Sequence, residues 1–207
     1  MTRFLFIRHG ETDSNRQQRF QGQIDVPLNA NGRVQAARLA ERLAATPADA
    51  LYTSDLNRAR QTAAALAAVW ALPAQPLPAF REQAFGILEG MEVSAVPSLH
   101  PELWRQWLDH QADFALPGGE SLVQLSERVL AAVRELAGRH AEGTVAVVTH
   151  GGVLDTLWRH AQALPLHGRR ECEIPNTGIN RLRWQEGRLV LEAWGDAAHL
   201  EGMDLVG

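Results

Sequence analysis

The chain has 207 residues, 45% of them hydrophobic and 21% charged, enough for one ordinary domain with a full apolar core. A net charge of −4 offers no basic surface for nucleic acid, and no apolar run approaches the ~20 residues of a membrane span. All 20 cationic side chains are arginine, so Schiff-base lysine chemistry is excluded and any anion site must be built from guanidiniums.

Phe4-Leu5-Phe6-Ile7 reads as a strand buried on both faces, ending on Arg8-His9 and broken at once by Gly10. A polar, glycine-punctuated loop follows from Asp13 to Asn31, carrying Asn15, Arg16, Arg19, Gln21 and Gly22. The pattern Val34, Ala37, Leu39, Ala40, Leu43 predicts an amphipathic helix over 31–45. Ala50 to Thr53 is a short strand, and Ser54-Asp55 is the expected N-cap of a helix reaching about Trp70, with Arg58 in its first turn and Arg60 turned to solvent. The proline-spaced segment Pro73 to Pro78 reads as an extended connector into a loop-like stretch, Phe80 to Gly90, that holds the carboxylates Glu82 and Glu89.

Residues 98–110 predict a short helix with Trp104 and Trp107 at i, i+3, suited either to a satellite core or to an apolar wall over a substrate. Pro117-Gly118-Gly119-Glu120-Ser121 opens a long helix to about His140. Thr144 to Gly152 then repeats the opening arrangement, an apolar strand ending on a histidine, His150, followed by glycine. A helix over 153–162 and a closing hairpin, Ile179 to Trp184 with Arg188 to Trp194, turning at Glu186-Gly187, complete the chain. Strands alternating with helices define an α/β domain with a mostly parallel sheet and antiparallel strands at one edge. The single cysteine, Cys172, lies between Glu171 and Glu173, which raise a thiol pKa, and is expected to be structural. With no leader-like segment, the expectation is a soluble, cytoplasmic protein, monomer or homodimer, formed as one domain with a small insertion at about 91–117.

If the sheet is parallel, Arg8-His9, Ser54 to Arg58 and His150 meet at its carboxyl edge, where ligands of such sheets bind. Two imidazoles and two guanidiniums suit a phosphoryl group and a histidine nucleophile kept neutral by its cationic neighbours. The same arginines repel a metal ion, and no carboxylate stands at ligand spacing, so no metal and no cofactor is expected.

Arg8-His9-Gly10-Glu11-Thr12 resembles the signature of the histidine phosphatase superfamily, which includes the cofactor-dependent phosphoglycerate mutases. In order along the chain, Ser54 to Ala63, Arg81-Glu82 through Glu89-Gly90, Pro117 to Ser121, Thr149 to Gly152, Ile174 to Thr177 and Asp196 to Leu200 resemble further blocks of that family. The resemblance implies a three-layer α/β/α sandwich. It further implies His9 as the residue that becomes phosphohistidine and Glu82 as general acid and base, favoured over Glu89. Arg8, Arg58, His150 and Asn15 would hold phosphate, with Thr12, Gln21 and Gly22 in support. Glu11 and Glu120 are equally explained as helix-terminus carboxylates. His199 and the histidines at 100, 110, 140, 160 and 167 read as structural or surface residues.

The segment Met91 to Gly118 carries one arginine, Arg105, beside Leu103, Trp104, Trp107 and Leu108. The family's mutases have a longer, more basic segment there, so the resemblance favours a phosphomonoesterase acting on a small-molecule phosphate ester. A phosphoglycerate mutase and an α-ribazole phosphatase remain as alternatives, and outside enzymes a silent phospho-ligand binding module.

Overall fold

The computed structural model describes residues 1–109 and 111–203; His110 lies outside the described residues. Six strands form one mixed sheet, β1 (Thr2–Arg8), β2 (Ala50–Thr53), β3 (Ala74–Pro76), β4 (Thr144–Thr149), β5 (Ile179–Gln185) and β6 (Arg188–Asp196), in the order β3-β2-β4-β1-β5-β6. The first four of that order run parallel, and β5 and β6 pair antiparallel at the far edge. The helices are α1 (Asp13–Arg16), α2 (Ala30–Leu43), α3 (Asn57–Trp70), α4 (Val96–Leu99), α5 (Pro101–Leu108), α6 (Leu122–Arg139) and α7 (Gly151–Ala161).

The period of two in a strand sorts the core into two layers. Phe4 and Phe6 face a cluster with Val145 and Val147, against Leu125, Val129 and Val133 of α6 and Val153 and Leu157 of α7. Ile7, Ala146 and Val148 face the opposite cluster, against Leu39 and Leu43 of α2 and Ala59, Ala63 and Leu66 of α3. The result is the expected three-layer α/β/α sandwich. A third cluster lies apart: Phe20, Leu88, Val96 and Leu116, with Phe85, Leu103, Trp104 and Trp107 packed on it.

Local elements depart from the sequence reading where a polar side chain overrides pattern. The buried stripe of α2 is Gly32, Gln35, Ala36, Leu39, Ala40 and Leu43, whereas Val34 is 48% exposed. Gln35 takes an inward place because its Oε1 accepts from the backbone N–H of Glu11 at 2.8 Å. The N-cap of α3 is Leu56, with no side-chain cap of its own, rather than Ser54-Asp55. Asp25 reaches in from the polar loop instead, accepting from the N–H of Asn57 at 2.6 Å and from its Nδ2 at 2.7 Å. Asp55 is diverted to a bidentate pair with Arg81 at 2.6 and 2.7 Å. The polar loop also contains one helical turn, α1, and the proline connector contributes β3, which a segment with few free N–H groups can do only at a sheet edge. The helix expected over 98–110 is divided into α4 and α5 by His100 and Pro101, since proline disfavours helical backbone in the residue before it.

Candidate active site

Because β2, β4 and β1 are parallel neighbours, their carboxyl ends share one edge, and Ser54 to Arg58, His150 and His9 meet there. The His9 and His150 rings lie 5.1 Å apart, centroid to centroid, and both residues are buried. His9 Nδ1 is 2.7 Å from the carbonyl oxygen of its neighbour Gly10. A carbonyl can only accept, so Nδ1 carries the proton and Nε2 is left with a free lone pair. Burial, then the charges of Arg58 and Arg8, push the His9 pKa well below its ordinary value, so the ring is neutral at pH 7.

The partner histidine has the opposite tautomer. Arg58 Nε donates to His150 Nδ1 at 3.2 Å, so the neutral ring carries its proton on Nε2. Burial and the same arginine also lower the pKa of His150. Its Nε2, with Nε of Arg8, is a buried nitrogen without a hydrogen-bond partner among the described residues. Two buried orphan donors beside a free imidazole lone pair call for an anionic guest, since buried donors otherwise find acceptors.

Arg58 is wholly buried, at the first turn of α3, and two terminal nitrogens donate to Ile24 O at 2.8 Å and Gly22 O at 2.7 Å. Desolvation brings its pKa down to about 10, still fully charged at neutral pH. Arg8 is likewise lowered to about 10, by burial and then by Arg170. Its guanidinium is tethered to the carbonyl of Ile174. Gly22 supports Arg58 through its carbonyl and through having no side chain: at φ +50°, a Cβ there would lie 2.0 Å from Glu89 Oε1. Glu89 is a loop holder, accepting from the N–H groups of Gln23 and Phe85 at 2.9 and 3.0 Å.

Glu82 sits across the N-terminus of α7, its two carboxylate oxygens 3.0 and 3.1 Å from Gly152 N. Its backbone is pinned by Arg128 and Gln23, which both donate to its carbonyl. A Cβ on Gly152 would lie 2.4 Å from Glu82 Oε1, so only glycine admits the carboxylate here. On the opposite wall, Thr12 caps α1 in a capping box with Asn15, whose Oδ1 accepts from Thr12 N at 3.0 Å. Thr12 Oγ1 also donates to Gln21 Oε1 at 2.9 Å. Thr12 and Gln21 therefore hold the loop that carries Asn15.

Glu11 is buried and accepts from Asn29 and Asn31, binding the signature loop to the start of α2. Glu120 accepts from Ala84 N and pairs with Arg128, while Ser121 is the actual cap of α6. Cys172 has its pKa raised to about 11, chiefly by burial and then by Asp155 rather than by its flanking glutamates. His199 bonds Thr177 Oγ1 at 2.9 Å, His140 bonds the Tyr52 hydroxyl, and His160 bonds Ser126.

Sequence reasoning missed a clamp on the signature itself. Asn176 Nδ2 donates to His9 O at 2.9 Å and Thr177 N donates to Arg8 O at 3.0 Å. Thr177 holds φ +54°, an uncommon and strained state for a β-branched residue, which aims its N–H at the strand end. It also missed the far wall. A cleft of about 400 Å³ runs from Glu82 and Gly152 past Phe85, Trp107 and Phe114 to Asp155, Arg169 and Arg170. Trp107 both packs edge-on against Phe20 at 5.5 Å and lines this cleft, so the tryptophan segment is satellite core and cleft wall at once.

A neutral imidazole ringed by two guanidiniums, an orphan imidazole donor and one carboxylate defines an α/β enzyme of phosphoryl transfer. The chain belongs to the histidine phosphatase superfamily (branch 1), whose family model matches residues 4–197. Among its relatives, a phosphoglycerate mutase-like protein 4 of Arabidopsis thaliana is 36% identical over 95% of this chain and 86% of that one. A metal-independent phosphoserine phosphatase of the same plant is 33% identical over 98% of this chain and 85% of its own. The solved structure of Bacillus stearothermophilus YhfR superposes with a TM-score of 0.90 at 31% identity, covering 97% of this chain and all of that one. The protein is a phosphomonoesterase of the histidine phosphatase type, and no helix among its described residues is long and apolar enough to cross a membrane.

Proposed function

We propose that the enzyme hydrolyses a small-molecule phosphate monoester in two in-line steps, with His9 as nucleophile and Glu82 as the acid and base. The observation that carries this reading is the His9 Nδ1 to Gly10 O bond, which leaves Nε2 unprotonated among orphan donors. In the first step the Nε2 lone pair attacks phosphorus, the P–N bond forms, and the ester P–O bond breaks. Protonated Glu82 gives its proton to the departing alkoxide. Arg8, Arg58, His150 Nε2–H and Asn15 Nδ2 neutralise the charge spread over the equatorial oxygens. In the second step the Glu82 carboxylate takes a proton from water, whose oxygen attacks phosphorus as the P–N bond breaks, and His9 and inorganic phosphate are released.

Charge stabilisation is assigned to guanidiniums, so turnover proceeds without a metal ion. We place the segment at 91–117 as a short cap whose apolar side lines the cleft, leaving water free to reach the phosphoenzyme; this favours hydrolysis over mutase transfer. Its lone, unreactive thiol suits a reducing cytoplasm.

The test is hydrolysis of p-nitrophenyl phosphate, 3-phosphoglycerate, fructose phosphates and α-ribazole phosphate in the presence of chelator. It is paired with trapping of an acid-labile phosphoenzyme. Chelator-resistant turnover and a trapped species, both absent from His9→Ala, are expected. Isomerisation dependent on 2,3-bisphosphoglycerate and faster than hydrolysis would make it a mutase. Tight phosphate binding with no turnover of any ester would make it a binding module.

A further inference from the structure

Arg159 lies near the end of α7, is 2% exposed, and takes no part in the chemistry above. Its Nε donates to Asp155 at 2.9 Å. Its terminal nitrogens donate to four carbonyls of the loop that follows α7: Pro165 at 2.9 Å, His167 at 3.0 Å, Gly168 at 3.2 Å and Arg169 at 2.6 Å. A buried guanidinium that anchors its Nε on its own helix and spends its terminal donors on one loop ties that loop to the helix through four hydrogen bonds. The loop so fixed presents Arg169 and Arg170 to the cleft, across from Phe85 and Trp107.

Arg170 is under-used where it stands. Its ion pair with Asp155 is 3.9 Å long, and that carboxylate is already engaged by Arg159. A methyl group built on Gly151 would lie 3.5 and 3.6 Å from the two terminal nitrogens of Arg170 and 3.8 Å from Glu82 Oε2. The Arg170 guanidinium is therefore beside Glu82, the proposed acid, and lines the same cleft. It is close enough to Arg8 to be the largest charged influence on it. A half-exposed guanidinium with spare donors at that point matches a planar or tetrahedral oxyanion in its fork geometry.

Resting on the phosphomonoesterase reading, we propose that Arg170, held in place by Arg159, selects phosphate esters whose leaving alcohol carries a second oxyanion, a carboxylate or another phosphate. The phosphate to be transferred occupies the His9 site, and the second anion is received at the far side of Glu82. Arg170 is the specificity residue and Arg159 its positioning residue.

The experiment compares kcat/KM within matched pairs, 3-phosphoglycerate against glycerol 3-phosphate and fructose 1,6-bisphosphate against fructose 6-phosphate. Wild-type enzyme is expected to prefer the more anionic member of at least one pair by about tenfold or more, the effect of a good charge-assisted contact. The pair that responds says whether carboxylate or phosphate is the partner. Arg170→Gln should abolish that preference through KM, and Arg170→Lys should restore only part of it. Arg159→Met should weaken it in the same pair, with kcat moving less than KM. If Arg170→Gln lowers kcat/KM equally for both members of each pair, the residue serves the transferred phosphate or Glu82, and the proposal is overturned. Calorimetric titration of the same ligands into His9→Ala reads their affinities without turnover. Absence of hydrolysis in wild type would therefore sink the phosphomonoesterase reading, while an Arg170-independent affinity would sink this one.

Discussion

Glu82 is the residue whose exchange separates chemistry from architecture most cleanly. Its Oε1 accepts from both Gly152 N and Gln83 N. Glutamine keeps that oxygen and so keeps the contact with α7, but it can neither give the alkoxide a proton nor take one from water. Glu82→Gln is expected to lower steady-state turnover of alkyl phosphates by about 10²–10⁴, the usual span for a general acid–base. With p-nitrophenyl phosphate the first step survives, because p-nitrophenolate leaves without a proton, and only the second step is crippled. Stopped-flow absorbance should then record a burst of one equivalent of p-nitrophenol before slow turnover. A variant with no burst and unimpaired alkyl phosphate hydrolysis would remove Glu82 from the mechanism.

At the scale of the element, the site depends on how closely a carboxylate can approach the start of α7. Gly152→Ala replaces a poor helix former by a good one, which taken alone would stabilise α7 by up to ~1 kcal/mol. The new Cβ would meet Glu82 Oε1 at 2.4 Å, so the carboxylate must leave its seat. The expected outcome is a melting temperature equal to or above wild type together with a fall in kcat of roughly 10². Retained kcat would show that Glu82 needs no support from α7.

What the sequence disclosed and what it hid divide along the same line. Continuous apolar runs in β1 and β4, each ending on histidine, carried the parallel sheet and its active edge, because burial on both faces leaves a pattern that can be read. Residues acting through backbone carbonyls left no such pattern. Nothing in the local sequence marks Arg159 as buried, Asn176 as the residue that holds His9, or Asp25 as the cap of α3, since their partners lie in other segments or in irregular loops. The shift of the buried stripe of α2 from Val34 to Gln35 has the same origin, a single backbone N–H on Glu11 that needed an acceptor.

For the whole molecule, keeping two buried imidazoles neutral inside a cationic pocket has a thermodynamic consequence. His9 and His150 have folded-state pKa values well below 6.5, whereas the unfolded chain protonates them near their ordinary value. Above about pH 6.5 neither state binds the proton, so the two residues contribute no pH dependence. As the pH falls below that value the unfolded state gains protons that the folded state refuses, and stability declines. The slope approaches about 1.4 kcal/mol per pH unit for each imidazole that the folded state keeps neutral. His160 and His199, also lowered by burial, act in the same direction. Losses on that scale are a sizeable share of a typical domain's roughly 5–15 kcal/mol, so urea midpoints should fall visibly across a range where carboxylates remain ionised. His9→Asn should flatten the slope by less than half, because His150, and with it His160 and His199, still refuse protons in the folded state. A stability that stays level from pH 7 to 5.5, or a slope indifferent to His9→Asn, would mean that the pocket takes up protons readily. His9 would then be charged, and unfit to attack phosphorus, at the acid end of that range.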